Sequence, residues 1–195
     1  MKRVAVLGWM LMPGPAIAQG ADGQPMTGGY AGPEFSVQEH GFGLDIEDGF
    51  GSRNSSFSRV GVAGGGFAGF DFAVADRIRV GAEAGATIGG GGGGRADLPG
   101  GNRFELRPRW GYRTMARLGY VASGRTMIYG QVGYGAQRYR LRTSIFVDGV
   151  RDWNRGLAYG LGVEHRVGRA VSLRLDARRI AGTSNQLSIG LPIRF

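Results

Sequence analysis

Apolar residues alternate with polar or glycine residues along most of this chain, and this pattern constrains the fold more than any other feature. Residues 187–195 carry an apolar side chain at every odd position. Successive side chains of a β-strand point to opposite faces of a sheet, so such a segment has one apolar face and one polar face. Repeated at short intervals, segments of this kind predict an all-β protein.

The amino terminus has the pattern of a secretory signal peptide. Residues 2–3 are basic, residues 4–12 are mostly apolar, and residues 16–18 form a small-residue cleavage site. The apolar stretch is shorter than the roughly 20 residues that span a bilayer as a helix. We therefore expect residues 1–18 to be a signal peptide and residues 19–195 to form one β-barrel domain.

Composition excludes several classes of protein. The chain has no cysteine, so it can form neither a disulfide framework nor a thiolate metal site. Glycine accounts for 39 of 195 residues, far above its usual share of about 7%, and most glycines lie on the polar faces of the alternating segments. The formal charge of +9 comes almost entirely from arginine. Since the arginines also follow the strand pattern, we do not expect nucleic acid as a partner.

Eight extended segments are separated by connections that mostly alternate between short and long. Short turns on one rim and long loops on the other are typical of outer-membrane barrels. The prediction is an eight-stranded antiparallel up-and-down transmembrane β-barrel. The alternation of apolar and polar residues changes phase near His40 and near Gln137, which predicts β-bulges at these positions. The segments are Tyr30–Ile46, Phe57–Val74, Ile78–Ile88, Arg103–Ala122, Met127–Arg142, Arg155–Val167, Val171–Ala181 and Asn185–Phe195, with long loops at 47–56, 89–102 and 143–154.

The fourth segment indicates which face lies inside. Its even positions are mainly apolar or aromatic, whereas its odd positions include all of its charged residues. An arginine that faces lipid near the bilayer midplane costs about 2–4 kcal/mol, so the odd face must point inward or lie beyond the membrane. Trp110 and Tyr120 are roughly 25 Å apart along the membrane normal at the usual strand tilt, which predicts that they lie in opposite aromatic girdles.

A soluble eight-stranded barrel is the alternative, with its apolar face inside and its polar face in water. The outer face of such a barrel should carry lysine, threonine and glutamate, but the polar face here consists of glycine, arginine and acidic residues. Glycine and paired charges suit the crowded interior of an eight-stranded barrel. The membrane arrangement is therefore favoured.

The charged inner face is the candidate functional site. Buried charges must be paired, and a closed barrel holds these residues against one another. One hypothesis is an ion-pair plug that blocks conduction, and the other is a gated polar path for small solutes. Eight strands leave no aqueous channel, which favours the plug. The network is expected to contain Glu34, Asp71, Arg79, Glu83, Glu105, Arg113, Arg117, Glu164, Arg166, Arg174, Asp176 and Arg194.

The sequence shows no catalytic, metal or cofactor site. The glycine run Gly89–Gly94 lacks the Gly-Lys-Ser/Thr ending of a phosphate-binding loop. His40 and His165 have no second ligand at metal-binding spacing, and neither is placed as the base for a serine nucleophile. We expect no cofactor and no enzymatic activity, although a lipid-cleaving site at the outer rim stays an alternative.

The chain resembles the small outer-membrane β-barrels of Gram-negative bacteria, the opacity-protein and porin-like group. The resemblance rests on the signal peptide, on strands such as Val60–Val74 and Met127–Gly135, and on the ending of the chain. In that family a terminal aromatic residue after alternating apolar positions is the signal read by the barrel-assembly machinery. The residues that match this signal are Ile189, Leu191, Ile193 and Phe195.

This resemblance implies location in the outer membrane more firmly than it implies a task. The expected function is an integral outer-membrane barrel with a plugged polar lumen that supports envelope integrity or surface-loop interactions. A narrow channel for small solutes and a lipid-A-modifying enzyme are the alternatives. The expected partners are outer-membrane lipid, lipopolysaccharide and, during biogenesis, the barrel-assembly machinery, and the protein is expected to be a monomer.

Overall fold

A computed structural model describes residues 25–48, 51–90, 94–97, 103–143 and 151–195, with side chains described for 25–40, 60–90, 109–139 and 153–195. The expected signal peptide at residues 1–18 lies outside these ranges. The strands within them are β1 Gly28–Asp48, β2 Gly51–Ala73, β3 Ile78–Gly89, β4 Gly94–Asp97, β5 Arg103–Ser123, β6 Thr126–Thr143, β7 Arg151–Arg166, β8 Ser172–Ile180, β9 Ser184–Gly190 and β10 Ile193–Arg194.

The strands form one antiparallel sheet, and β1 closes it by pairing with β9 and β10. β9 and β10 are two parts of the last barrel strand, separated at Leu191 and Pro192. β4 pairs only with β5, on the same edge as β3, and it lies in the connection for which the sequence predicts a loop. The protein is therefore a closed eight-stranded antiparallel barrel, which confirms the prediction from alternation.

The described residues contain no helix that is long and apolar enough to cross a bilayer. Short turns at residues 74–77, 124–125 and 167–171 join strands at one end of the barrel, which we call the short-turn rim. Both described ends of the chain lie there, since the Phe195 amide donates to the Gly29 carbonyl at 3.0 Å. The opposite end is the long-loop rim.

The strands are strongly tilted. Following the cross-strand pairs around the barrel from Tyr30 leads back to β1 at His40, ten residues further along. With a rise of about 3.3 Å per residue and strands about 4.8 Å apart, this offset corresponds to a tilt of about 40°. That tilt is typical of transmembrane barrels. The interior of such a barrel is just wide enough for side chains to fill it.

The apolar face of each described strand points outward. In β8, for example, Ser172 to Arg178 alternates between buried even positions and exposed odd positions. Phe35, Val62 and Leu161 are each more than two-thirds exposed, whereas the buried set is dominated by charged and amide side chains. The barrel is thus polar inside and apolar outside, as the sequence predicted.

The structure corrects three of the sequence-based expectations. The β1–β2 ladder runs without interruption to Asp48 and Gly51, so the predicted bulge near His40 and the predicted long loop at 47–56 are wrong. The bulge predicted near Gln137 lies instead in β5, where Arg109 has no partner in the β5–β6 register. The pattern misled because this end of the lumen holds neutral and aromatic side chains, so polarity distinguishes the two faces poorly.

Candidate functional site

Five arginines and five carboxylates fill the middle of the lumen, and we call them the lumen network. Each is at most 8% exposed. They come from β1, β2, β3, β5, β7, β8 and β10, so the network joins strands on all sides of the barrel. Its members are Glu34, Asp71, Glu83, Glu164, Asp176, Arg113, Arg117, Arg174, Arg178 and Arg194.

Glu34 is held by two arginines from different strands. Arg113 donates to both of its oxygens, at 2.7 and 2.8 Å, in a bidentate arrangement. Arg178 donates to Glu34 Oε2 at 2.9 Å and contacts Asp176 at 3.2 Å. Bidentate, charge-assisted hydrogen bonds are among the strongest polar contacts in proteins, so this part of the network has a fixed geometry.

Arg117 lies at the centre of the network. Its guanidinium is 3.5 Å from both Glu83 and Glu164 and 3.7 Å from Asp71. It also stacks 4.0 Å above the centroid of the Tyr129 ring and donates to the Tyr30 hydroxyl. Three carboxylates and an aromatic face compensate for the removal of this cation from water.

Two further arginines complete the network. Arg174 binds Glu83 at 2.7 Å and stacks 3.8 Å from the centroid of Phe67, an aromatic residue on the inward face of β2. Arg194, near the carboxy terminus, binds Asp71 at 2.9 Å and Glu164 at 2.8 Å. The last barrel strand is thereby tied to strands β2 and β7 across the lumen.

Inward-facing glycines make room for these large side chains. A Cβ atom at Gly85 would lie 2.6 Å from the Arg113 guanidinium carbon. At Gly162 a Cβ atom would overlap the Tyr129 ring and the Asp176 carboxylate. The high glycine content of the sequence therefore has a direct structural reason, because the lumen cannot hold both the arginines and additional side chains on the facing wall.

The structure brings together nine of the twelve residues expected in the network and places two others, Arg79 and Arg166, outside it. Arg79 is buried, but it donates to the carbonyls of Pro25, Ala75, Asp76 and Ile78, at 2.8–3.2 Å. Arg166 is only half-buried at the short-turn rim and has no ion pair among the described residues, because the strand ends there. The side chain of Glu105 lies outside the described ones.

Sequence reasoning missed three members of this region. Arg178 joins the ion pairs, while Tyr30 and Tyr129 donate hydrogen bonds to Glu83 and Asp176. Arg178 has the same parity as Arg174 on β8, so its position could have been found from the sequence. The inward positions of the two tyrosines could not have been found in this way, because a tyrosine is as common in an aromatic girdle as in a polar lumen.

The short-turn end of the lumen is closed by an apolar layer. Met26 is fully buried and packs with Val121, Met127 and Tyr129, which we call the methionine layer. Met26 has a φ of 63°, a left-handed conformation that is unusual for a residue other than glycine. The hydrogen bond from Arg79 to the Pro25 carbonyl holds this turn in the mouth of the barrel.

The long-loop end of the lumen contains neutral polar side chains instead of ion pairs. His40 Nε2 lies 2.8 Å from the Gly90 carbonyl, which can only accept a hydrogen bond, so this nitrogen donates. The Tyr139 hydroxyl lies 3.1 Å from His40 Nδ1. We call the buried members of this region the neutral layer: Ser36, Gln38, His40, Thr87, Gln137, Tyr139, Ser184 and Gln186.

The two residues predicted for the aromatic girdles both point outward from β5, ten residues apart. Trp110 lies toward the long-loop rim, where its ring is 5.0 Å from that of Trp153 in a T-shaped contact. Tyr120 lies toward the short-turn rim and accepts a hydrogen bond from Arg77 at 3.2 Å. The predicted assembly-signal residues are also exposed on the outer surface: Ile189, Leu191, Ile193 and Phe195.

The described residues contain no group of three or more histidine, cysteine or acidic side chains that could hold a metal ion. The carboxylates of the lumen network are already occupied by arginines, so they are not available as a ligand set. The chemistry that this arrangement supports is ion pairing in a closed interior.

Comparison with known proteins identifies the family. The family model described as outer membrane protein beta-barrel domain matches residues 4–195. The chain therefore belongs to this family, and it is an outer-membrane protein. Outer-membrane barrels have their short turns in the periplasm, which places the short-turn rim there. A search of curated proteins gave no significant match.

Solved structures share the fold at low sequence identity. Ail, the attachment invasion locus protein of Yersinia pestis, is 15% identical, with a TM-score of 0.51 over 87% of this chain and 100% of that one. Neisserial surface protein A is 14% identical, with a TM-score of 0.52 over 86% and 99%. OprG from Pseudomonas aeruginosa is 12% identical, with a TM-score of 0.52 over 89% and 99%. At these identities the likeness concerns the fold alone.

Proposed function

We propose that this protein is a non-conducting integral barrel of the outer membrane that supports envelope integrity or presents its loops at the cell surface. The observation that carries the proposal is the lumen network, in which ten buried charged side chains fill the middle of the barrel. The methionine layer and the neutral layer lie on either side of it.

The ion pairs oppose any opening of the lumen. A solute path would require Arg117 or one of its neighbours to leave its carboxylates. Breaking a buried pair by removing one partner costs about 3–5 kcal/mol, so a state opened in this way would be populated below about 1%. A conducting state would therefore be rare at equilibrium.

Single-channel recording in planar bilayers tests this proposal. We expect no steady conductance from the wild type. A double variant, Glu83→Ser with Arg117→Ser, removes the centre of the network without changing the net charge, and we expect it to conduct. Heat-modifiable migration on a gel checks that both proteins are folded. Steady conductance of the wild type would instead support a narrow channel.

The cellular role is tested with a strain that lacks the gene. We expect increased sensitivity to detergents and large antibiotics if the barrel supports the envelope, and weaker surface binding with an intact envelope if the loops are the functional part. Lipid A from the two strains should have the same mass spectrum. A change in lipid A that the gene restores would indicate an enzyme and contradict the proposal.

We also propose that the protein is a monomer in outer-membrane lipid and lipopolysaccharide, and that the barrel-assembly machinery reads its last strand. In support, Ile189, Leu191, Ile193 and Phe195 all lie on the outer surface. The variant Phe195→Ala should reduce the amount of assembled barrel in the outer membrane several-fold. Phe35→Ala, which removes a phenylalanine of equal exposure from β1, serves as the control and should assemble normally.

A further inference from the structure

Aromatic rings surround an arginine on the outer surface near the long-loop rim. Arg138 lies directly opposite Trp110 of β5 and Trp153 of β7 in the strand register, so the three side chains share the outward face. The guanidinium carbon of Arg138 is 5.7 Å from the centroid of the Trp153 ring. That ring also contacts Tyr112, with the two centroids 6.0 Å apart. Ala136 has the same outward parity as Arg138 but is only 2% exposed, which indicates that the cluster covers the wall there.

No acidic side chain balances the charge of this cluster. Arg155 is exposed and is the diagonal neighbour of Arg138 across β6 and β7, a spacing that long side chains can bridge. Neither arginine has an ion pair with a residue that the structure describes. Glu164 is the one acid among the described side chains of β5, β6 and β7, and it belongs to the lumen network. The described outer face of these strands therefore carries positive charge without an anion.

The position of the cluster indicates what kind of anion it meets. The short turns lie in the periplasm, so the long-loop rim faces the cell exterior and the cluster lies on the side of the outer leaflet. Toward the membrane centre, the next outward pair after Ala136 and Arg155 is Tyr134 and Leu157, which are 42% and 60% exposed. Indole rings favour the boundary between hydrocarbon and polar head groups. A ligand of the cluster would thus continue onto the lipid-facing wall.

We propose that Trp110, Arg138, Trp153 and Arg155 form a binding site for the phosphorylated sugar head group of lipopolysaccharide, and we call it the outer-rim site. The guanidinium groups bind the phosphate by charge-assisted hydrogen bonds. The indole rings pack against the apolar face of the sugar ring, which favours a phosphorylated glycolipid over a glycerophospholipid. The inference rests on the lipopolysaccharide environment proposed above, and it does not depend on whether the lumen conducts.

The mature chain carries its own probe for this site. Once residues 1–18 are removed, its tryptophans are Trp110 and Trp153, and both belong to the outer-rim site. Fluorescence titration of the folded mature chain in detergent with diphosphorylated lipid A therefore measures binding at this place. We expect a saturable change in fluorescence. Dephosphorylated lipid A should bind about tenfold more weakly or worse, because the arginines lose their charged partner. Phosphatidylglycerol, which has a phosphate but no sugar, should also bind more weakly than diphosphorylated lipid A.

The variant Arg138→Gln should weaken the binding of diphosphorylated lipid A about tenfold or more, because it removes a charge-assisted contact. The matched control is Arg179→Gln, which removes an exposed arginine of β8. The Arg179 guanidinium donates to the Gly182 carbonyl at 2.8 and 3.2 Å and lies outside the cluster. This control should leave the affinity unchanged. Heat-modifiable migration checks that both variants are folded, and Arg155→Gln provides the same comparison if Arg138→Gln is not.

Three results would overturn the inference. An equal loss of affinity in Arg179→Gln, or no loss in the variant of the cluster, would refute the outer-rim site. Binding of phosphatidylglycerol as tight as that of diphosphorylated lipid A would refute the glycolipid as its ligand. Steady conductance of the wild type would contradict the proposed function and leave these binding results unaffected, so the two failures are distinguishable.

Discussion

The lumen network and the neutral layer lie in the same barrel and largely on the same strands, yet their buried polar groups are paired to different extents. In the network every carboxylate contacts at least two arginines, and Glu83 contacts three. In the neutral layer, neither amide atom of Gln186 has a hydrogen-bond partner among the described residues. The charged region is cross-linked by ion pairs between strands, whereas the neutral layer has only separate hydrogen bonds, such as those of His40 and Gln38.

This difference indicates where the stability of the barrel resides. An ion that loses its partner in a buried site retains its full desolvation cost, so a network of such ions tolerates few changes. A buried neutral amide costs less to leave unpaired or to replace. We therefore expect substitutions of similar size to have very different effects in the two regions.

The largest effect is expected from Glu83→Leu in the lumen network. This change leaves Arg113, Arg117 and Arg174 without a shared carboxylate. The free energy of unfolding should fall by about 3–5 kcal/mol. Urea unfolding in lipid vesicles, followed by tryptophan fluorescence, measures the change.

Glu83→Gln keeps the shape of the side chain and separates the loss of charge from the loss of volume. It should retain part of the stability through hydrogen bonds from the arginines. If Glu83→Leu were as stable as the wild type, the network would contribute packing alone and the contrast with the neutral layer would disappear.

A smaller effect is expected from Met26→Ala in the methionine layer. Removing a fully buried methionine side chain should lower the free energy of unfolding by about 2–3 kcal/mol. Conductance should stay absent, because the lumen network lies beyond this layer. Channel activity in Met26→Ala would show that the methionine layer, and not the ion pairs, closes the barrel.

The sequence predicts the wall of this barrel better than its contents. Alternation in β8 assigns Arg174 and Asp176 to the lumen because any other register would put charges into lipid. It does not reveal which arginine meets which acid, since Arg113 and Glu34 are 79 residues apart and become neighbours only on closure. Arg166 shows a second limit of prediction from sequence. Alternation assigns it to the lumen-facing side of β7, but it is the last residue of that strand and lies where the barrel wall ends.

An intermediate effect is expected from Gly162→Ala, which inserts a methyl group into the lumen network. The new Cβ atom would overlap Tyr129 and Asp176, so the free energy of unfolding should fall by about 1–3 kcal/mol. Gly130→Ala on the neighbouring strand is the matched control, because its Cβ atom would lie 3.8 Å from Leu161. Equal urea midpoints for the two variants would show that the network has spare volume.

The smallest effect is expected from Gln186→Leu in the neutral layer, which introduces the same residue as Glu83→Leu. Gln186 is 3% exposed, and its amide makes no hydrogen bond to the described residues. Replacing an unpaired buried amide by an apolar group of similar size is close to neutral, so the free energy of unfolding should change by less than about 1 kcal/mol.

The same urea titration measures this change, with Gln131→Leu as the control. Gln131 donates a hydrogen bond to Asp176 at 3.1 Å, so its replacement should lower the free energy of unfolding more. A loss for Gln186→Leu as large as that for Glu83→Leu would mean that the neutral layer is as tightly constrained as the ion pairs.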